Sequence, residues 1–233
     1  MPDNFGQAPE RDLFIITSAI RTPWGRGDDE RFEETLHTIQ TINEKTDSDI
    51  WLCESSHEPI DQKHRAKLEE LVNFISFHEE GKEIKSKNLG MNFVKSCTET
   101  TIMSEVLGYP MPYKRVFKIS GRYYLNEHFN REDHDQPEKL VCREVMNSGW
   151  SEEQIGTTRM IMTRLYSFDP VIKGELKDVF DQINKYLYHQ AVSCKVGDIE
   201  HGLYKFLPPE YIHEVFRIGV RGKIGHINSD VED

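Results

Sequence analysis

The first 125 residues alternate between two kinds of hydrophobic pattern. Short apolar runs rich in β-branched residues are typical of buried strands, and apolar residues three or four positions apart are typical of amphipathic helices. The predicted strands cover 12–19, 49–53, 72–77 and 116–125, and helices are predicted over 31–45 and 62–71. The segment 82–107 is predicted to start with the basic loop K-E-I-K-S-K-N-L-G and to continue as a helix. This strict alternation predicts an α/β fold, a Rossmann-like sandwich whose mostly parallel sheet is flanked by helices.

The pattern after residue 125 is less regular. A hydrophilic stretch at 126–139 predicts a loop, and two further apolar runs predict strands at 140–145 and 159–168. A stripe of Leu176, Val179, Ile183 and Leu187 predicts a helix over 171–192, and 199–207 continues this C-terminal helical extension. We therefore predict a polar tail at 1–11, one domain over 12–225 and a frayed tail at 226–233.

Composition narrows the class of protein. The chain has 233 residues, of which 37% are hydrophobic and 30% charged, and its net charge is −11. This acidity argues against a nucleic-acid partner, while a local basic pocket would still select a small anion. No apolar run reaches the roughly 20 residues that span a bilayer, so we expect no integral membrane segment. The N-terminus has no signal-peptide pattern, and the four cysteines include no C-x-x-C pair, which predicts free thiols and a cytoplasmic location.

Polar side chains follow each of the four early strands. Because the carboxyl ends of parallel strands share one edge of a sheet, we expect these loops to form one cleft. Its hydroxyls and carboxylate would suit a ribose and base, and its cations would suit a diphosphate, although each residue also fits an ordinary loop. The candidate residues are Ser18, Arg21, Thr22, Glu54, Ser55, Lys85, Lys87, Asn88 and Arg122.

The segment V-F-K-I-S-G-R-Y-Y-L at 116–125 contains the strongest of these signals. Its apolar run breaks at Ser120-Gly121 and presents Arg122, a planar cation that binds phosphate or carboxylate oxygens in a bidentate manner. Gly121 would permit a close approach of ligand or backbone. The glycine-rich motifs of dinucleotide-binding and P-loop proteins are absent. Asp133-His134-Asp135 lies in a charged run that favours a solvated loop over a metal site.

A second candidate region is the segment 198–202, which reads D-I-E-H-G. A carboxylate held in apolar surroundings can act as a general base, and a neighbouring imidazole can orient phosphate. Capping of a helix start by the same residues is an equally good interpretation.

Several segments together resemble a known family. The E-S-S after the second strand, K-S-K-N-L-G before a helix, K-I-S-G-R-Y, R-L-Y-S-F-D and I-E-H-G-L-Y resemble small microbial and viral proteins of the GT-A glycosyltransferase type. The resemblance implies a GT-A-like fold with a nucleotide-sugar-binding half at 12–125 and an acceptor half at 126–225. It also implies transfer of a sugar from a nucleotide-diphosphate donor to a hydroxyl of a glycan or lipid-linked acceptor.

The resemblance also suggests roles for single residues. GT-A enzymes commonly hold Mn²⁺ or Mg²⁺ with a D-x-D motif, whereas this chain has Gly121-Arg122-Tyr123 at the matching position. We therefore expect Arg122, with Lys118 or Lys87, to stabilise the departing diphosphate, and a divalent metal is the alternative. Glu200 is the first candidate for the catalytic base and Asp169 the second, and His201 would contact the diphosphate.

Two other functions remain open. A nucleotidyltransferase on the same fold would build an activated sugar from a triphosphate, although the loop after the first strand matches that class only in part. A non-catalytic domain that binds glycan or protein would use Trp24, Trp51 or Trp150 as stacking surfaces.

Overall fold

A computed structural model describes residues 11–22, 27–78, 91–224 and 229–233 of the chain. The helices are α1 (Asp28–Lys45), α2 (Gln62–Glu69), α3 (Met91–Val106), α4 (Glu152–Ile155), α5 (Lys173–Val192) and α6 (Ile199–Phe206). The first six strands are β1 (Leu13–Ser18), β2 (Asp49–Glu54), β3 (Phe74–Phe77), β4 (Val116–Ser120), β5 (Tyr123–Leu125) and β6 (Leu140–Arg143). The others are β7 (Met146–Asn147), β8 (Arg159–Met160), β9 (Leu165–Phe168), β10 (Ile212–Val215), β11 (Val220–Ile224) and β12 (Ser229–Glu232).

Seven of these strands form the central sheet, in the order β10-β6-β9-β4-β1-β2-β3. Strand β1 pairs in parallel with β2 and β4, and β2 pairs in parallel with β3. The exception is β9, which is antiparallel to both of its neighbours, β4 and β6. The predicted α/β fold with a mostly parallel sheet is therefore confirmed. Because β9 is reversed, it begins at the edge of the sheet where β1, β2 and β4 end.

Helices cover both faces of this sheet. Side chains alternate along β1, so Leu13 and Ile15 join a core with α3, α5 and α6, whereas Phe14 and Ile16 join a core with α1 and α2. Within the second core the rings of Phe14 and Phe117 stack at 4.5 Å. Burial on both faces explains why these strands are continuous apolar runs in the sequence.

Two predicted strands are each divided in the structure. The run 116–125 contains β4 and β5, which belong to different sheets because the chain turns at Gly121-Arg122. The run 159–168 contains β8, which pairs with β7, and β9 of the central sheet. The helix predicted in the segment 82–107 is α3, which begins at Met91, and the basic loop predicted before it lies outside the described residues.

The end of the chain also differs from the prediction. Strand β12 pairs with β11, which pairs with β5, so these three strands form a second sheet. Asp233 follows β12 with a side chain only 2% exposed, in ion pairs with Arg143 and Arg164. The prediction of a frayed tail is therefore wrong for residues 229–233, because backbone pairing and a buried ion pair hold them in place.

The hydrophilic stretch at 126–139 is more ordered than a solvated loop. Residues Arg131–His134 form a 3₁₀ turn that buries the imidazole of His134 against Phe117 and within 2.8 Å of Ser167 Oγ. Burial and two nearby guanidinium groups lower the pKa of His134 to about 3.

Two further predictions concern the environment of the chain. All four cysteines are free thiols, and only Cys194 is exposed. In the part of the chain that the structure describes, no helix has both the length and the apolar character needed to cross a membrane.

Candidate active site

A cleft lies at the edge of the sheet where β1, β2 and β4 end, between α1 and α3. Its inner part is a cavity of about 120 Å³. The floor consists of strand ends and the walls consist of helical side chains, and both are rich in hydroxyl groups and charges. The lining residues are Thr17, Ser18, Ala19, Arg31, Glu34, Thr35, Ser55, Lys95, Thr98, Glu99, Ile102, Ser120, Gly121 and Arg122.

A second cavity of about 330 Å³ adjoins the first. It is bounded by α3, by the residues that precede β9 and by the first turn of α6. The residues shared by the two cavities are Lys95, Glu99, Ser120 and Arg122, which we call the shared wall. The other lining residues are Ser96, Tyr123, Met162, Thr163, Arg164, Asp198, Ile199 and Glu200.

Hydrogen bonds tie the rim of the first cavity together. Ser18 Oγ lies 3.0 Å from Thr35 Oγ1, and Thr35 Oγ1 also donates to the carbonyl of Gly121 at 3.2 Å. Ser55 Oγ donates to the carbonyl of Ser18 at 2.9 Å, and the amide of Gly121 donates to Thr17 O at 2.8 Å. Ser18, Ser55 and Gly121, which were predicted to bind the nucleotide-sugar donor, therefore lie together at the cleft.

Gly121 permits a close contact within the protein. A Cβ atom at this position would lie 3.1 Å from Ser18 Cβ and 3.2 Å from Thr35 Oγ1. The absence of a side chain lets the end of β4 pack against β1 and α1. The sequence suggested that Gly121 permits a close approach of ligand or backbone. In the structure its backbone lies close to the side chains of Ser18 and Thr35.

Arg122 belongs to the shared wall, as expected for a residue that contacts a ligand anion. Its guanidinium carbon lies 5.5 Å from the centre of the Tyr123 ring, and its backbone amide donates to Ser120 O at 2.8 Å. Its Nε–H group is buried and has no acceptor among the described residues. A guanidinium group whose donors are not all used by the protein, at the wall of two cavities, suits an anion.

Lys118 lies beneath the cleft and is fully buried. Its ammonium group donates to Thr163 O at 2.9 Å and to Ser120 Oγ at 3.0 Å, and it forms an ion pair with Glu99. These three partners use its donors. The prediction of Lys118 at the diphosphate is not supported, because its charge neutralises Glu99 inside the protein.

Glu200 faces the second cavity from the first turn of α6. Its Oε1 accepts a hydrogen bond of 2.9 Å from Thr163 Oγ1. Burial, together with the negative charges of Asp198 and Glu99, raises the pKa of Glu200 to about 7. A carboxyl group with this pKa exchanges protons readily near neutral pH, which is what a general base or acid requires.

His201 lies next to Glu200 in sequence but not in the cleft. Its ring is 2% exposed, with Nδ1 at 2.6 Å from Asp198 Oδ1 and Nε2 at 2.8 Å from Ser148 Oγ. Asp198 also accepts from the amide of His201 at 2.9 Å and so caps α6. The expected contact of His201 with a diphosphate is replaced by a structural link between α6 and the β7–β8 hairpin.

Three other residues that were predicted to bind the nucleotide-sugar donor lie outside the cavities. Arg21 forms ion pairs with Asp28 and Glu58, and Thr22 does not line either cavity. The carboxylate of Glu54 is 1% exposed and accepts from the amide of Ile20 at 3.1 Å, and burial raises its pKa. Glu54 therefore fixes the loop after β1. The predicted residues Lys85, Lys87 and Asn88 lie outside the described residues.

Asp169 lies at the opposite edge of the sheet. It follows β9, and because β9 is antiparallel, its last residue Phe168 pairs with Val116 at the start of β4. Its carboxylate accepts from the amides of Val171 at 3.0 Å and Glu138 at 2.9 Å. The prediction of Asp169 as a second candidate base is therefore wrong, since it caps a turn far from the cleft.

The structure adds cleft residues that sequence reasoning missed. Lys95 and Glu99 come from α3, and Arg164 comes from the segment immediately before β9. The spacing of Lys95 and Glu99, four residues apart on a helix, places both on one face and could have pointed to them. Arg164 could be identified as a cleft residue only if the antiparallel direction of β9 were known.

The donor groups of the cleft do not fit a divalent cation held at the end of β4. That position carries Ser120-Gly121-Arg122 instead of carboxylates, and the nearby carboxylate of Glu99 is paired with Lys118. Within the described residues, three ligand-type side chains come close enough to share an ion at Glu127, His128 and Glu232. None of these three lines either cavity.

Solved structures of glycosyltransferases resemble this fold. The mannosyltransferase Ktr4p from S. cerevisiae matches with a TM-score of 0.58 and 8% identity, over 90% of this chain and 69% of that chain. The galactosyltransferase LgtC, solved with donor and acceptor sugar analogues, matches with a TM-score of 0.57 and 8% identity, over 87% of this chain and 73% of that chain. Core-mannan synthase A from Aspergillus fumigatus, in its Mn/GDP form, matches with a TM-score of 0.53 and 10% identity, over 94% and 76% of the two chains.

No protein-family model and no curated protein sequence matches the chain. At such low identity the structural matches establish the fold, and the fold is GT-A-like, as the sequence resemblance implied.

Proposed function

We propose that this protein is a glycosyltransferase that moves a sugar from a nucleoside-diphosphate donor to a hydroxyl group of an acceptor. The observation that carries the proposal is the meeting of Arg122 and Glu200 on one cleft of a GT-A-like fold. A fixed cation suits a leaving diphosphate, and a carboxyl group that titrates near neutrality suits proton removal from the acceptor.

The cleft offers a place for each part of the two substrates. The hydroxyl-rich first cavity suits the nucleoside, and the shared wall with Lys95 and Arg122 suits the diphosphate. The larger second cavity then holds the transferred sugar and the acceptor hydroxyl beside Glu200. In this arrangement the nucleoside and the acceptor lie on opposite sides of the bond that breaks.

The transfer step follows from these positions. Glu200 in its ionised form takes the proton of the acceptor hydroxyl, and the oxygen attacks the anomeric carbon of the donor sugar. The bond from that carbon to the diphosphate oxygen breaks, and the electron pair leaves with the diphosphate. Arg122 stabilises the added negative charge, so the step needs no metal ion. The transferred group is a hexose or pentose, and the acceptor is a glycan or a lipid-linked acceptor.

A thermal-shift panel tests the proposal directly. We expect nucleoside diphosphates and nucleotide sugars to raise the melting temperature, because a ligand that binds only the folded state stabilises it. The shift should persist in a chelator. Arg122→Gln should remove most of the shift, whereas Arg21→Gln, whose side chain pairs with Asp28 and Glu58 outside the cavities, should retain it.

Three outcomes would contradict this proposal. A rise in melting temperature that occurs only with nucleoside triphosphates in the presence of magnesium would favour a nucleotidyltransferase. No shift with any nucleotide would favour a non-catalytic binding domain. Loss of donor binding in a chelator, with recovery on adding Mn²⁺, would rule out the metal-independent step.

A further inference from the structure

Two arginines, one in the turn between β4 and β5 and one immediately before β9, face the second cavity close to one aromatic residue. The guanidinium carbon of Arg122 lies 5.5 Å from the centre of the Tyr123 ring, and that of Arg164 lies 5.8 Å from the same centre. Both arginines and Tyr123 line the cavity that also holds Glu200. Contact with the electron-rich ring stabilises each cation and lets the two like charges share one region.

The direction of β9 brings Arg164 to this edge. Arg164 immediately precedes β9, and its carbonyl accepts a hydrogen bond of 3.1 Å from the amide of Ser120 at the end of β4. The antiparallel pairing of β4 and β9 therefore continues by one residue beyond the strands. Arg164 therefore lies opposite Ser120, which is two residues before Arg122 in the chain.

Asp233 holds the side chain of Arg164 in place. Arg164 Nη1 donates to Asp233 Oδ2, and Arg143 Nη1 donates to Asp233 Oδ1. The Asp233 side chain is 2% exposed and that of Arg164 is 13% exposed. This ion pair uses one edge of the Arg164 guanidinium and fixes its orientation at the cavity.

Both arginines have a buried donor that the protein leaves unused. The Nε–H groups of Arg122 and Arg164 are buried, and neither has a hydrogen-bond acceptor within the described part of the chain. The protein compensates these cations only in part, since Arg164 shares the single carboxylate of Asp233 with Arg143, and two such guanidinium groups at one cavity favour a ligand with several anionic oxygens. A diphosphate, with one phosphoryl group for each guanidinium, meets that requirement better than a single carboxylate.

We propose that Arg164 is a second diphosphate-binding residue, which forms an anion clamp with Arg122, and that Asp233 is the positioning residue of Arg164. This inference rests on the proposed function, because the diphosphate is taken to be that of the sugar donor. The clamp would supply two positive charges to stabilise the leaving group, which is the role that a metal ion has in metal-dependent enzymes.

The test measures binding of inorganic pyrophosphate and of a nucleoside diphosphate by titration calorimetry in a chelator. The variants are Arg122→Gln, Arg164→Gln, Asp233→Asn and the double variant Arg164→Gln/Asp233→Asn. Arg159→Gln is the matched control, since Arg159 also lies over an aromatic ring, that of Tyr204, but lines neither cavity. We expect Arg164→Gln to weaken pyrophosphate binding by about tenfold to a hundredfold, the range for one lost charged hydrogen-bonding group.

Asp233→Asn should weaken binding less, and it should have no further effect once Arg164 is already Gln. That non-additivity separates positioning from a general loss of stability. Far-UV circular dichroism and urea unfolding of each variant establish that it is folded at the temperature of the titration.

The possible results distinguish failure of the anion clamp from failure of the proposed sugar transfer. Equal pyrophosphate affinity in the wild type and Arg164→Gln, or no binding of pyrophosphate to the wild type, overturns the clamp. If pyrophosphate binding depends on Arg164 while no nucleoside diphosphate binds, the clamp holds and the sugar-transfer proposal fails. If nucleoside diphosphates bind with unchanged affinity to Arg164→Gln, the transfer proposal survives without the clamp.

Discussion

In the cleft, burial and neighbouring negative charges together raise the pKa of Glu200. Its carboxyl group is half-buried and lies near the charges of Asp198 and Glu99, so the folded protein favours the protonated form. The pKa of Glu200 rises to about 7, above an ordinary value of 4.5. Folding therefore takes up a proton between these two pH values, and the stability that this proton provides is lost as pH rises toward 7 and above.

Replacing Glu200 with Gln should remove this dependence. We expect the free energy of unfolding of Glu200→Gln to exceed that of the wild type by about 2 kcal/mol at pH 8. At pH 5 the two proteins should differ little. Urea unfolding at both pH values measures the difference, with Glu33→Gln, on the exposed side of α1, as the control. A difference that is the same at pH 5 and pH 8 would show that Glu200 is not held protonated.

Single residues also show which parts of the site can be identified from the sequence. Residue type and the position after a strand were enough to bring Ser18, Ser55 and Arg122 to one cleft. Lys118 and Glu54 have the same residue types as ligand-binding groups, but the fold turns them inward to pair with neighbouring groups. Which way a charged side chain points at a strand end depends on its tertiary partners, and the sequence does not contain those partners in readable form.

At the scale of elements, the direction of one strand decides which residues reach the cleft. The alternation of strands and helices predicts parallel neighbours, for which the residues after a strand matter. Strand β9 runs the other way, so the residue before it, Arg164, lies at the cleft and the residue after it, Asp169, lies at the far edge. Hydrophobic periodicity reports whether a strand is buried but not its direction, which explains both errors.

The packing of α6 against α5 supports the position of Glu200. A Cβ atom at Gly202 would lie 2.8 Å from Ile183 Cγ2 and 3.0 Å from Ile183 Cγ1. Gly202→Ala should therefore separate the two helices and lower the free energy of unfolding by about 1–3 kcal/mol, as overpacking usually does.

The control for this change is Gly174→Ala in the first turn of α5, where a Cβ atom meets nothing within 4 Å. It should raise the stability by about 0.4–1 kcal/mol, because alanine restricts the unfolded chain without strain in the helix. Thermal or urea unfolding measures both variants. Equal effects of the two substitutions would contradict the close contact of the helices.

At the scale of the whole molecule, an acidic protein surrounds a cleft that contains several cations. The chain has a net charge of −11, while Lys95, Arg122 and Arg164 line the cavities. The same cavities carry Glu34, Glu99, Asp198 and Glu200, so only an anion small enough to contact the guanidinium groups directly gains from them, whereas a polyanion meets the field of the whole acidic surface. The α/β class and this charge balance were predictable from composition and periodicity, because both depend on sums over many residues.

This contrast can be measured with two ligands. Labelled duplex DNA should show no change in fluorescence anisotropy with the protein at about 0.15 M salt, where basic proteins still bind DNA without sequence preference. Pyrophosphate should bind under the same conditions and weaken as salt is added. Micromolar affinity for duplex DNA would show that a basic surface, and not only the cleft, faces solvent.

The hydrogen bonds that join Ser18, Thr35, Ser55 and Gly121 have a consequence for redesign of the protein. Each of these hydroxyls already serves a neighbouring strand or helix, so replacing one would disturb the joint between β1, β2, β4 and α1. Attempts to change which small molecule the first cavity accepts should therefore leave this joint intact and vary other lining positions, such as Thr98 and Ile102 of α3. A library built on those two positions would keep the scaffold while reshaping the space above it.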